Sequence, residues 1–267
     1  SRAKSRDSGL RSEALVPRDY AGAVDIGVQL RLGINKVRSR HKAEKFIAYF
    51  QMNTNTHGPV DQLRRIYDEA LIPEVAGVAI STRPDCLSDE VIEILSDIKE
   101  KRGLWLELGL QSSNDATLER INRGHTAAEF VWAVERAHRA GIDVCAHIII
   151  GLPGEGRQEA LATAALVADL DLWGVKFHQL QVLKGTVLEA IYLNIGFNTL
   201  ELEEYSSVVV DSLELLSPST VIHRLSGDAP RRLIVAPQWG VNKFIIDSMI
   251  IDMMRKRSTC QGARYGL

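Results

Sequence analysis

The chain has 267 residues, of which 45% are hydrophobic and 25% are charged, a composition that excludes a disordered or low-complexity protein and is typical of a globular one. Its 32 Lys and Arg residues are balanced by 34 Asp and Glu residues, giving a net charge of -2. This balance argues against nonspecific binding to a nucleic-acid backbone.

The pattern of apolar residues predicts strands that alternate with helices, which is typical of a parallel sheet. A short extra helix is expected to begin at Asn114 and to end near Gly124. The predicted strands, in chain order, are 46–51, 75–82, 105–111, 143–151, 174–182 and 221–225. The predicted longer helices are 19–37, 60–70, 89–101, 127–140, 158–170, 202–216 and 242–257.

This alternation fits either a doubly wound sheet or a (β/α) barrel. Two features favour the barrel: no G-x-G-x-x-G opens the first strand-helix turn, and polar residues recur within several strands. In both architectures ligands bind at the carboxyl ends of the strands, so candidate functional residues are sought there.

The strand at 105–111 places its leucines on one face and Glu107, Gly109 and Gln111 on the other. In a barrel Glu107 points inward, where a carboxylate must be paired or functional. A structural Glu satisfied by a neighbouring Arg is the alternative interpretation.

The following strand carries His147 and breaks at Gly151, in Gly-Leu-Pro-Gly. Glycine lets a ligand approach the backbone closely, whereas a lone His in an apolar strand is more often a core residue. Arg123, in the loop before this strand, is expected near the barrel mouth, where it can pair with a ligand carboxylate. Further polar residues at strand ends that could line one cavity are Thr82, Arg83, His178 and Lys184.

The cysteines, Cys86, Cys145 and Cys260, form neither a disulfide framework nor a CxxC pair, so we expect a reducing, cytoplasmic compartment. No run of 18 apolar residues and no signal-peptide pattern occurs, so no membrane association is expected.

The segments ELGLQSSNDATLERINRGHT, GIDVCAHIIIGLPGE and LQVLKGT resemble the radical S-adenosylmethionine (radical SAM) superfamily, in the branch that contains oxygen-independent coproporphyrinogen oxidase. IAYFQMNTNT, STRPDCLSDEVIEIL and VIHRLSGDAPRRLIVAPQW narrow the resemblance to a YhcC-type subfamily related to the elongator catalytic subunit. The resemblance covers nearly the whole chain.

The resemblance implies an α/β fold, a partial (β/α)6 TIM-like barrel of the radical SAM type without its first strand and cluster loop, followed by a C-terminal α/β extension. It divides the chain into a polar N-terminal segment with the first helix (1–45), a core barrel (46–190) and the extension (191–267). It also implies an enzyme that binds a 4Fe-4S cluster and S-adenosylmethionine, receives an electron from a donor such as flavodoxin or ferredoxin, and forms a 5'-deoxyadenosyl radical.

By the same resemblance, Gln111 corresponds to a residue that hydrogen-bonds the cofactor ribose and Arg123 to one that meets its carboxylate. His147 falls where a relative has an aspartate facing the ribose, and Gly151 belongs to the segment along the adenine. Glu107 is expected in the substrate or cofactor pocket, and no catalytic residue is assigned.

The chain departs from the family pattern because no CxxxCxxC occurs in it, so it offers no metal ligands. We expect the motif just upstream of Ser1, and expect this chain to be inactive alone. The alternatives are a cluster-free binding or regulatory module, and a conventional lyase that uses Glu107 and His147 as acid and base. A relative acts on transfer RNA, which suggests RNA as a substrate, although the net charge gives no support.

Overall fold

The computed structural model describes residues 25–266, and in them helices and strands alternate along the chain. The predicted domain segment 1–45 and the predicted helix 19–37 therefore lie partly outside the described residues. The strands are β1 (Phe46–Phe50), β2 (Val75–Thr82), β3 (Gly103–Gln111), β4 (Asp143–Ile150), β5 (Gly174–Gln179), β6 (Val182–Leu183), β7 (Val221–Arg224) and β8 (Ile234–Ala236).

Several helices begin at a residue whose side chain accepts from a free backbone N–H group of the first turn. Thr126, for example, forms a capping box with Glu129 at the start of a helix. The helices are α1 (Ile26–His41), α2 (Val60–Asp68), α3 (Asp89–Lys101), α4 (Asp115–Arg120), α5 (Ala127–Arg139), α6 (Arg157–Asp169), α7 (Val187–Asn194), α8 (Leu202–Leu215) and α9 (Lys243–Lys256).

Six strands form one sheet in the order β1-β2-β3-β4-β5-β7, and every neighbouring pair is parallel. The order follows the chain without a reversal, so the sheet has no topological switch point and is not doubly wound. It is strongly curled: Lys176 Nζ on β5 lies 3.2 Å from Tyr49 Oη on β1, although four strand spacings would separate them by about 19 Å in a flat sheet. The predicted α/β partial barrel is confirmed.

The hydrophobic core lies between the convex face of this sheet and the helices. Leu106, Leu108 and Leu110 on β3 are fully buried there, as the alternation predicts. Each of these leucines contributes about 1.5–3 kcal/mol by leaving water. The opposite residues of β3 consequently face the inside of the half-barrel, where the polar side chains collect.

The structure differs from the predicted elements at the end of β5. The strand predicted over 174–182 ends at Gln179, because Val182 leaves the parallel sheet to pair in antiparallel fashion with Ala236 of β8. Neither β8 nor α7 was predicted. The C-terminal part of the chain returns to the main sheet, where β7 pairs with β5. None of the described helices is long and apolar enough to cross a membrane.

Candidate active site

A pocket of about 380 Å³ opens inside the half-barrel, toward the carboxyl ends of the strands. Its walls are polar and carry more basic groups than acidic ones. The lining residues are Tyr49, Gln51, Asn53, Thr54, Ser81, Thr82, Arg83, Glu107, Gly109, Arg123, His147, Lys176, His178 and Arg224.

Glu107 lies at the floor of this pocket, with only 2% of its surface exposed. Its Oε1 accepts from Lys176 Nζ at 2.5 Å and from Trp105 Nε1 at 3.3 Å. Lys176 is itself buried, and its ammonium also donates to Tyr49 Oη. Two buried charges thus neutralise each other, which is the condition for keeping either of them inside a protein.

The other carboxylate oxygen of Glu107, Oε2, is equally occupied. It accepts from Tyr49 Oη, from His147 Nε2 at 2.8 Å and from Ser81 Oγ at 3.2 Å. Burial alone would raise the pKa of Glu107, but the bonds from His147, Lys176 and Tyr49 hold it well below the usual range. A carboxylate so saturated is poorly suited to transfer protons, so the geometry does not support the lyase alternative.

Burial also shifts the pKa of two of the groups that donate to Glu107. It raises the pKa of Tyr49, and the hydrogen bond to Glu107 adds to this effect. It lowers the pKa of His147, against the opposing influence of Glu107, so the imidazole is neutral at neutral pH. Glu107 and Lys176 are therefore the charged members of a network whose other members stay neutral.

Arg123 also lines this pocket. Its Nη2 donates to the Gly109 carbonyl oxygen and its Nε to His125 Nε2, both at 3.0 Å. Burial lowers the pKa of Arg123 to about 10, which leaves the guanidinium charged at neutral pH. No carboxylate pairs with it within residues 25–266, so its charge is available to an anionic group in the pocket.

Gln111 and Gly109 form the wall beside Arg123. Gln111 ends β3 with φ at 71°, an unusual conformation for a residue with a side chain, and the register with β4 shifts there. A Cβ at Gly109 would overlap Arg123 Nη2 and lie 2.5 Å from Gln111 Nε2. Glycine at this position therefore lets both side chains gather over the strand end.

Arg83 and Thr82 form the β2 side of the pocket. Arg83 makes two parallel bonds to Asp85, at 2.8 and 2.7 Å, and its Nη2 also donates to the Gly124 carbonyl oxygen. Its charge is thus already neutralised, and it braces the loop that carries Arg123. Thr82 Oγ1 lies 2.5 Å from Thr56 Oγ1, which fixes the start of the loop after β2.

Most of the residues predicted from the sequence meet in this pocket: Glu107, Thr82, Arg83, Arg123, His147 and His178 line it directly. Gln111 lies beside Gly109, at its edge. Gly151 lies in the turn after β4 with φ at 87° and faces Leu200. The prediction for Lys184 was wrong: the residue is exposed outside the lining, because the chain has turned away to form the β6–β8 pair.

Tyr49 and Lys176 were not singled out in the sequence. Lys176 had a detectable signal, since it alternates with His178 on β5 just as Glu107 alternates with Gly109 on β3. Arg224 could be recognised only as one basic residue among several near the C-terminus, and its place in the pocket depends on β7 joining the sheet.

The cysteines do not fit an iron-sulfur cluster. Cys86 is half-buried after β2, Cys145 is buried in β4 and Cys260 is exposed after α9. Three thiolates around one cluster must lie close together, and within residues 25–266 no group of three metal-binding side chains does. Burial also raises the pKa of the Cys86 and Cys145 thiols, which disfavours the thiolate that binds a metal.

Comparison with known proteins identifies the same family in both parts of the chain. Residues 31–167 match the family model described as Radical SAM superfamily, and residues 172–256 match that of the Radical_SAM C-terminal domain. The protein YtqA of Bacillus subtilis is 40% identical over 247 residues, covering 91% of this chain and 77% of the relative. Protein YhcC of Escherichia coli is 37% identical over 228 residues, covering 85% of this chain and 74% of the relative.

Among solved structures, the archaeal Methanocaldococcus infernus Elp3 with an N-terminal deletion matches this chain with a TM-score of 0.79. The sequence identity is 19%, and the match covers 89% of this chain and 60% of the Elp3 chain. At this identity the likeness supports the fold alone.

Proposed function

The chain belongs to the radical SAM superfamily, whose members are enzymes, and we propose on this premise that its pocket binds S-adenosylmethionine. The observation that carries the proposal is the guanidinium of Arg123, held in the pocket by Gly109 and lacking a carboxylate partner within residues 25–266. A carboxylate presented by the amino-acid part of the cofactor complements it.

The neighbouring residues suit the rest of the cofactor. The Gln111 side-chain amide can both donate to and accept from ribose hydroxyls. We assign His147 to the ribose side as well, where Glu107 holds its ring in position through Nε2. Gly151, with its left-handed backbone and no side chain, is assigned to the adenine side.

The reaction that we propose is reductive cleavage of S-adenosylmethionine to a 5'-deoxyadenosyl radical. A 4Fe-4S cluster, when bound, supplies the electron for this cleavage, and a donor such as flavodoxin or ferredoxin reduces the cluster. The three cysteines here do not form the cluster's ligand set, so the proposal requires cluster ligands that these 267 residues do not supply.

In this proposal the residues of this chain bind the cofactor and orient it. Arg123 and Gln111 fix the cofactor against the ends of β3, and the Glu107–Lys176 pair closes the floor of the pocket with bonds that are already satisfied. A saturated, buried floor leaves few groups to exchange protons or hydrogen atoms with a reactive intermediate.

RNA as the substrate class is a separate part of the proposal. It is supported by the family resemblance alone, because the net charge of -2 provides no general attraction for phosphates. A stimulation of radical formation by transfer RNA, compared with a DNA duplex of equal charge, is the expected result if RNA is the substrate.

The proposal is tested with the full-length natural protein, reconstituted with iron and sulfide without oxygen and incubated with S-adenosylmethionine and dithionite. About four irons per chain and formation of 5'-deoxyadenosine are expected. A reconstituted protein that holds no iron and forms no 5'-deoxyadenosine would instead support the cluster-free binding module.

A further inference from the structure

Arg224 on β7 is a second cation of the pocket without a hydrogen-bond or ion-pair partner among the described residues. In the parallel register it lies beside Lys176 on β5, and both residues line the pocket. Lys176 is neutralised by Glu107, whereas the guanidinium of Arg224 makes no hydrogen bond or ion pair within residues 25–266. Because the Lys176–Glu107 pair has no net charge, it does not balance the charge of Arg224, and an anion beside Arg224 would be stabilising.

His178 adds a second observation at the same place. It lies two residues after Lys176 on β5, and its Nε2 is buried with no hydrogen-bond partner in the part of the chain that the structure describes. Burial, with the nearby charges of Arg224 and Lys176, lowers the pKa of His178 to about 3, so its ring is neutral and can donate one N–H. A buried polar atom left unsatisfied is costly unless a ligand satisfies it.

Gly227 determines the position of the His178 imidazole. A Cβ at Gly227 would lie 3.0 Å from His178 Nδ1, so the glycine lets the ring pack closely against the loop after β7. The Gly227 N–H and carbonyl are both bound to the side chain of Gln179, at 2.7 and 3.1 Å. The loop is thus anchored to β5, and the donors of Arg224 and His178 are held on neighbouring strands.

This part of the pocket is distinct from the end that holds Arg123. Arg123 bonds to the Gly109 carbonyl oxygen on β3, and the nearby charges that affect its pKa include those of Arg83 and Asp85. Arg224, on β7, instead affects the pKa of His147 and His178. A carboxylate bound at Arg123 is therefore taken to leave Arg224 without a counter-ion.

We propose that Arg224 and His178 form a second anion-binding subsite, which receives a carboxylate or phosphate group of the substrate. This inference rests on the proposed function, since it takes the Arg123 end of the pocket as the place of S-adenosylmethionine. It assigns the substrate to the class of molecules with an anionic oxygen group that can enter the half-barrel beside β5 and β7.

The test is isothermal titration of the reconstituted full-length protein, in the presence of S-adenosylmethionine, with inorganic phosphate in one arm and acetate in the other. In the Arg224→Gln variant, the dissociation constant for the anion that matches the substrate, phosphate or acetate, is expected to rise by about tenfold or more. Arg224→Lys, which keeps the charge but loses the planar fork, is expected to give a smaller rise. Arg139→Gln removes an exposed arginine on α5 and is the matched control.

A second measurement needs no variant. Phosphate or acetate is expected to protect Arg224 of the wild-type protein from phenylglyoxal, as mapped by mass spectrometry, while Arg139 stays reactive.

In the titrations, a loss of affinity for phosphate in Arg224→Gln supports a phosphate-bearing substrate, and a loss of affinity for acetate supports a carboxylate-bearing one. Equal affinity of wild type and Arg224→Gln in both arms, or no protection of Arg224, would overturn the subsite.

Failure of this inference can be told apart from failure of the proposed function. Formation of 5'-deoxyadenosine by the wild type, together with anion affinities that do not depend on Arg224, overturns the subsite and leaves the radical enzyme. Absence of 5'-deoxyadenosine from the reconstituted wild type overturns the enzyme, whatever the anion titrations give.

Discussion

Glu107 on β3 and Lys176 on β5 form a buried ion pair of 2.5 Å that spans the intervening strand β4. The side chains are 1% and 8% exposed, so neither charge can be solvated if its partner is removed. Through its contacts with Tyr49, the pair connects β3 and β5 to β1, the first strand of the curled sheet. It is therefore expected to be a determinant of stability as well as the floor of the pocket.

Glu107→Gln is expected to lower the free energy of unfolding by about 3–5 kcal/mol, because it leaves the Lys176 ammonium buried without a counter-charge. Urea unfolding followed by circular dichroism measures the change. Glu135→Gln, which alters an exposed residue of α5, is the control and should stay within about 0.5 kcal/mol of the wild type.

Replacing both Glu107 and Lys176 distinguishes the cost of leaving one buried charge unpaired from the cost of lost packing. The double variant Glu107→Leu with Lys176→Met leaves no buried charge and is expected to be more stable than Glu107→Gln alone. A double variant that is as unstable as the sum of the two single replacements would show that the residues act independently.

The titration of His178 should contribute to the dependence of the free energy of unfolding on pH. Its pKa is lowered to about 3 in the folded protein and is near 6.5 when unfolded, so below pH 6.5 the unfolded state binds more protons. The stability contribution of the neutral ring is present above pH 6.5 and is lost as the pH falls toward 3.

The measurement is the free energy of unfolding between pH 6 and pH 4. In His178→Gln its loss per pH unit should be smaller than in the wild type by about 1.4 kcal/mol, the value for one proton. His138→Gln changes an exposed histidine on α5 and serves as the control. An identical slope in wild type and His178→Gln would mean that the ring is solvated or charged in the folded state.

The alternation of residues in β3 was sufficient to place Glu107 inside the half-barrel, but it could not identify the partners of the carboxylate. Lys176 and Tyr49 are 69 and 58 residues away along the chain. Their approach depends on how strongly the sheet curls, and no local pattern encodes that angle. The alternative interpretation of Glu107 named an arginine as its partner, whereas the partner is Lys176.

The strand ends were predictable where turn residues follow the strand, as Arg83 and Pro84 follow Thr82 at the end of β2. They were not predictable after β5, because the departure of Val182 depends on pairing with Ala236, 54 residues away. The erroneous assignment of Lys184 to the pocket has the same origin.

Arg123→Lys is expected to weaken the affinity for S-adenosylmethionine by about tenfold or more, because a lysine cannot both hold the Gly109 carbonyl and present a planar fork to a carboxylate. Titration calorimetry of the reconstituted full-length protein measures the affinity. Arg139→Lys is the matched control, and an unchanged affinity in Arg123→Lys would remove this arginine from the cofactor site.

The most direct test of the cofactor site compares two glycines of β3. A Cβ at Gly109 displaces the ends of Arg123 and Gln111, which are flexible, whereas a Cβ at Gly103 meets only ordinary contacts of 3.6 Å or more. Both alanine variants should therefore fold. The measurement is the dissociation constant of S-adenosylmethionine for the reconstituted full-length protein: a rise of about tenfold or more in Gly109→Ala alone is predicted, and equal affinity in the two variants would contradict the assignment of this pocket to the cofactor.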